Sequence, residues 1–150
     1  MEQVTAHKGT LAFPDGQPLE FSAPPTTWHV LVVEDVPSLQ KLLVMMLRKA
    51  GHDVAAAGDG QEAVDLAQRE PFDIILMDIQ MPGMNGLDAT RLIRAREMQS
   101  GAHVPIIAIT AHALNGDSRT CLAAGCDAYL RKPVDLGELM ALMQRLIDAG

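Results

Sequence analysis

Three carboxylates, a hydroxyl and an amine stand where short apolar runs give out. Glu34 and Asp35 follow Val30–Val33, and Asp78 closes the run that starts at Phe72. Thr110 follows Pro105–Ile109, and Lys132 follows Asp127–Arg131. Carboxylates gathered in one cleft repel each other at neutral pH and need a cation. An oxygen-only site with open positions suits Mg²⁺ or Mn²⁺, and Mg²⁺ keeps several waters and bridges to phosphate oxygens. One carboxylate, with Asp78 as the candidate, can attack phosphorus to form an acyl phosphate. The metal and Lys132 would neutralise charge on the transferring group, and Thr110 would offer it a hydroxyl donor. Taken singly, each residue has a plainer reading. An Asp in that place is often a turn or cap residue, a Thr a helix cap, a Lys a solvated surface group. Their joint occurrence, in this order, is what points to phosphoryl chemistry.

The elements that must position these groups alternate. Val30–Val33 reads as a buried strand, and Pro37 suits a first helical turn. Leu39, Leu42, Leu43, Met46, Leu47 and Ala50 recur at helical spacing, and Gly51 closes that helix. Val54–Ala57 is a weaker strand. Asp59 with Glu62 predicts a capping box for a helix to about Glu70. After the Asp78 strand, Pro82, Gly83 and Gly86 force a turn. Asn85 and Asp88 are expected to cap a helix through Leu92, Ile93 and Ala95. A fourth strand ends at Thr110, and a short helix ends near Gly125. A fifth strand, Asp127–Arg131, leads to Lys132-Pro133. Asp135 and Glu138 then open a last helix striped by Leu136, Leu139, Met140, Met143 and Ile147. Five strand–helix alternations predict a parallel sheet covered on both faces, with its functional residues converging on one edge.

The stretches Val33–Asp35, Leu76–Gly86, Ile109–Ala111 and Tyr129–Pro133 together resemble the response-regulator receiver domain of two-component signalling. The resemblance covers about residues 29–148. It implies a flavodoxin-like, doubly wound (βα)5 fold with a five-stranded parallel sheet in the order 2-1-3-4-5. It makes Asp78 the phosphoacceptor. It gives Mg²⁺ to Glu34, Asp35, Asp78 and the backbone carbonyl of Gln80. Lys132 would contact the phosphoryl group, Thr110 and Tyr129 would form the switch pair, and the Lys132-Pro133 peptide would be cis. Gln80 and His112 occupy positions that tune phosphoryl lifetime in similar domains, although His112 also reads as an exposed loop residue. Glu34 stands where many relatives have Asp, which keeps a metal ligand and changes its reach. The implied partners are a histidine kinase or histidine phosphotransfer domain as donor, and a downstream protein at the face of the fourth helix, fifth strand and fifth helix. The segment Ile109–Asp117, with Cys121–Gly125, resembles receivers attached to hybrid histidine kinases. The chain would then act alone or be part of a longer protein.

Composition agrees with this reading. The chain has 150 residues, suiting one domain plus an appendage, with 48% hydrophobic and only 3% aromatic content. Val, Ile, Leu, Met and Ala must therefore fill the core. The formal charge of −7 disfavours a nucleic-acid surface. No apolar run is long enough to span a membrane and no secretion signal is visible, so a cytoplasmic location is expected. Cys121 and Cys126 lack the partners a zinc site needs, and reduced thiols are expected. Residues 1–28 hold four prolines and two alternating segments, around Leu11–Phe13 and Leu19–Phe21, flanking Pro14–Gln17. They read as a leader or linker, with a hairpin as the other possibility. Two other classes use similar residues. A Mg²⁺-dependent aspartyl-phosphate phosphatase of the haloacid-dehalogenase type would want a second acid where Gln80 stands, and a cap domain. An unphosphorylated pseudo-receiver would be expected to have lost an acid, the Thr or the Lys.

Overall fold

The computed structural model describes residues 11–12, 18–19, 27–111 and 115–149. Five strands, β1 (His29–Val33), β2 (Asp53–Ala57), β3 (Ile74–Asp78), β4 (Ile106–Thr110) and β5 (Ala128–Arg131), alternate with five helices. The helices are α1 (Pro37–Lys49), α2 (Gly60–Arg69), α3 (Gly86–Ser100), α4 (Asn115–Ala124) and α5 (Leu136–Ala149). All strands pair in parallel, in the order β2-β1-β3-β4-β5. This is the flavodoxin-like 2-1-3-4-5 order. Ahead of the sheet, Leu11–Ala12 pairs antiparallel with Pro18–Leu19. The turn expected between them lies outside the described residues.

The period of two along each strand splits the core in two. Leu31, Val33, Ile75, Met77, Ile106 and Ala108 pack with residues of α2, α3 and α4 on one face. Val30, Val32, Ile74, Leu76, Ile107 and Ile109 pack with Leu43 and Leu47 of α1 and Leu139 and Met143 of α5 on the other. Both faces being covered explains why the three central strands are continuous apolar runs.

Local chemistry sets the element ends, and several differ from expectation by a residue or two. The Phe72 strand starts at Ile74, because Asp73 turns its carboxylate back to accept from the His29 amide at 2.7 Å. Asp127 likewise precedes β5, its Oδ2 accepting from Ile106 N and Arg94 Nη2. Asn85 alone caps α3, accepting from the Leu87 and Asp88 amides at 2.9 Å, while Asp88 pairs with Arg91 in the first turn. That helix runs to Ser100, five residues past Ala95, and stops at left-handed Gly101. Asp59 caps α2 through Glu62 N, and Glu62 Oε1 reaches back to Gly58 N rather than to the cap's own amide. On α1 the apolar spacing exceeds what the sheet can cover. Leu43 and Leu47 are buried, whereas Leu39 and Leu42 face outward beside Val36 and Met45.

Gly86 leaves no room for a side chain against the edge of the sheet. A Cβ there would lie 2.2 Å from the Asp78 carbonyl oxygen and 2.9 Å from Met77 Cγ. Gly86→Ala is therefore expected to destabilise by about 1–3 kcal/mol, the usual range for overpacking. Urea unfolding measures it. A stability equal to that of the parent would mean that α3 can retreat from the strand without loss.

Candidate functional site

The C-terminal ends of β1, β3, β4 and β5 share one edge, and backbone bonds extend the ladder just beyond them. Glu34 N donates to Ala57 O at 3.1 Å, Ile79 N to Ile109 O at 3.0 Å, and Lys132 N to Thr110 O at 2.8 Å. These bonds bring together groups that lie up to 98 positions apart, from Glu34 to Lys132. Glu34, Asp35 and Asp78 each place a carboxylate oxygen within 4.8 Å of the others. Lys132 Nζ stands 3.2 Å from Glu34 Oε1 and 3.3 Å from Asp78 Oδ1. Glu34 and Asp78 are each only 2% exposed.

The electrostatics are those of an under-compensated acid cluster. Burial pushes the Asp78 carboxyl up to about 7, the charge of Glu34 adds to the rise, and Lys132 opposes it. For Lys132, burial alone would lower the pKa, but Asp78 and Glu34 outweigh it and the net shift is upward. One amine thus serves two buried carboxylates. Asp78 Oδ1 also accepts from the Gln80 amide at 3.1 Å, whereas Oδ2 is buried without a hydrogen-bond partner. An orphaned carboxylate oxygen among three clustered acids fits a hard divalent cation with oxygen ligands. Such a cation would relieve the repulsion that one lysine leaves.

Gln80, expected to offer its backbone carbonyl to the metal and to tune phosphoryl lifetime, makes side-chain hydrogen bonds of its own. Its side chain crosses to the end of β4, where Nε2 donates to Thr110 Oγ1 at 2.9 Å and Oε1 accepts from Ala111 N at 3.2 Å. Thr110 is buried, while Tyr129 on the neighbouring strand is exposed. The Lys132-Pro133 peptide is cis. His112 lies outside the described residues. A cleft of about 630 Å³ between α2 and α3, lined by Phe72, Ile93 and Val104 among others, holds none of these groups. Phe72 and Val104 precede β3 and β4, so that cleft opens at the opposite end of the sheet from the acids.

Residues 30–144 match the model of the response regulator receiver domain. The chain belongs to that family. Among curated relatives, the sensor protein GacS of Pseudomonas syringae pv. syringae is 42% identical over 125 residues, covering 83% of this chain and 13% of that protein. Among solved structures, the receiver domain of sensor histidine kinase PA1611 from Pseudomonas aeruginosa PAO1 is 46% identical with a TM-score of 0.74. The match covers 82% of this chain and 99% of that one, and that domain holds a magnesium ion in its active-site cleft. The receiver domain of Saccharomyces cerevisiae Ssk1, in co-crystal with the histidine phosphotransfer protein Ypd1, is 36% identical with a TM-score of 0.75. That match covers 79% of this chain and 87% of the other. The chain spans 3–13% of the length of the histidine kinases and sensor proteins it matches. Among the described residues, no helix is long and apolar enough to cross a membrane.

Proposed function

We propose that this chain is a phosphoacceptor receiver that takes a phosphoryl group from a phosphohistidine onto Asp78. The observation that supports this most is a buried Asp78 flanked by Glu34, Asp35 and Lys132, with one oxygen left unpaired. Glu34, Asp35, Asp78 and the Gln80 carbonyl would hold Mg²⁺ or Mn²⁺. When bound, the ion supplies positive charge that polarises phosphoryl oxygens. An Asp78 oxygen attacks phosphorus. The new P–O bond forms as the P–N bond breaks, and the electron pair returns to the imidazole nitrogen, which takes up a proton. The product is an acyl phosphate on Asp78. On this reading Lys132, 3.3 Å from Asp78 Oδ1, pairs with the added oxygens, and Thr110 offers them its hydroxyl.

Phosphorylation replaces one negative charge with about two. The switch follows as a population shift: Thr110 is drawn toward the phosphoryl group, and exposed Tyr129 turns inward, reshaping the surface of α4, β5 and α5 for a downstream protein. Gln80 sets how readily Thr110 moves, through its hold on that hydroxyl, and His112 is a second candidate for tuning lifetime. The donor, a histidine kinase or a histidine phosphotransfer domain, docks at the acid edge. Exposed Val36, Leu39 and Leu42, with the basic Lys41, in the first half of an α1 without acids, support a largely apolar landing surface there. Residues 29–150 form the receiver and 1–28 a leader or linker, in a cytoplasmic protein of the hybrid-kinase type, except that Trp28 is buried in the receiver core and so belongs with it.

Intact mass after incubation with acetyl phosphate and Mg²⁺ tests the reading. The parent gains one phosphoryl group, and EDTA or Asp78→Ala abolishes the gain. A folded parent that gains nothing and is not stabilised by beryllofluoride would be an interaction module instead. Turnover of unrelated phosphoesters would make it a phosphatase.

A further inference from the structure

Gln40 lies one turn into α1, and its side chain points back at the sheet. Its Nε2 donates to Glu34 O at 3.1 Å and to Ala57 O at 3.0 Å. Both N–H groups of one planar amide are thus used on the last carbonyls of two neighbouring strand ends. Ala57 O already accepts from Glu34 N at 3.1 Å. Glu34 is therefore tied through its own amide, through its own carbonyl, and through Oε2, which accepts from Val36 N at 3.2 Å. The carbonyl that Gln40 grips belongs to the peptide joining Glu34 to Asp35. Those residues supply two of the three clustered carboxylates. Rotation of that one peptide would move both acids together.

From this geometry we infer that Gln40 is a positioning residue for the metal-binding acids. It acts through the Glu34–Asp35 peptide and touches neither the cation nor the phosphoryl group. The inference rests on the phosphoacceptor reading only in supposing that Glu34 and Asp35 hold a divalent cation. The alternative is that Gln40 merely fastens α1 to the sheet, so that losing it costs stability and nothing else. Chemistry separates the two. The clamp needs a double donor. Gln40→Met keeps the length and loses both donors. Gln40→Glu would add a charge that itself draws Mg²⁺, so Gln40→Met is the variant that decides. Groups that orient metal ligands typically change metal affinity about 10–100-fold when removed.

Titration of the full chain with Mg²⁺ by calorimetry decides it, with Leu43→Ala as a control. Leu43 is buried on the same helix, in the apolar layer with Val30, Val32 and Leu47, and its side chain has no hydrogen-bond donor to offer the acids' backbone. The expected result is a Kd about tenfold weaker in Gln40→Met and within about twofold of the parent in Leu43→Ala. Faster hydrogen exchange at the Asp35 amide in Gln40→Met, without Mg²⁺ and with the rest of β1 unchanged, is the companion result. Parental Mg²⁺ affinity in Gln40→Met, or an equal loss in Leu43→Ala, would overturn the inference while leaving the phosphoacceptor reading intact. A parent that binds no Mg²⁺ would overturn both.

Discussion

In EDTA at about pH 8, Asp78→Asn is expected to be more stable than the parent, by a margin that disappears toward about pH 4. The reason is the cost of charging a buried carboxyl. Asp78 is raised from 3.8 to about 7, by burial first and then by Glu34, with Lys132 opposing. For an acid whose folded value lies above its unfolded value, the folded state binds the extra proton. The penalty is absent below the unfolded value. It grows as pH rises through the interval up to about 7 and is complete above it. Three pH units at about 1.4 kcal/mol each set an upper bound of about 4 kcal/mol, and rearrangement of Lys132 and entering water reduce it. Asn keeps an acceptor for the Gln80 amide and cannot ionise, so the slope goes with it. Urea unfolding of both proteins across this pH range measures the margin. Mg²⁺ should reverse the order, since it binds the folded parent and stabilises it by mass action. On the proposed phosphoacceptor role, the same substitution should also abolish phosphoryl uptake. A margin independent of pH would show that Asp78 is not held back from ionising by its surroundings.

That expectation has a sequence-level root. Asp78, Glu34, Asp35, Thr110 and Lys132 were legible because each ends an apolar run. A parallel sheet brings such ends to one edge, whatever their separation in the chain. The sheet order and the cis Lys132-Pro133 peptide came instead from the family resemblance, since strand periodicity alone leaves both open. Side-chain hydrogen bonds that cross between elements were not legible. Gln80 reaching Thr110 and Ala111, and Gln40 gripping Glu34 and Ala57, depend on how closely two backbones approach. No periodicity encodes that distance. Arg94 is a third case. It joins Gly125 O, Val104 O, Glu97 and Asp127, fixing α3 to the loops before β4 and β5, yet in the sequence it is one more polar residue on a helix. Leu39 and Leu42 show the opposite error. Their spacing matches a buried stripe, but the sheet's face ends at Leu43 and Leu47, and the surplus is left outside.

Lys132→Met should separate stability from metal affinity, pushing them in opposite directions. Nζ stands within 3.3 Å of both Glu34 and Asp78, and it is the one amine facing two buried acids among the described residues. Removing one partner of a buried ion pair leaves an uncompensated charge and costs about 3–5 kcal/mol. The lysine side chain is 24% exposed, and Asp78 can take up a proton in reply, so a loss of about 2–3 kcal/mol in EDTA is expected. With the opposing cation gone, the Asp78 carboxyl should titrate above about 7. Mg²⁺ then enters a cluster that no ammonium contests. Its affinity should rise by about tenfold, which is about 1.4 kcal/mol and modest beside the Coulomb energy of charges this close. Saturating Mg²⁺ should accordingly restore part of the lost stability, because one cation takes over the role of the other. Urea unfolding with and without Mg²⁺, together with calorimetric titration, reads both effects. An equal loss in EDTA and in Mg²⁺, with unchanged affinity, would place the contribution of Lys132 in the packing of its aliphatic stem rather than in its charge.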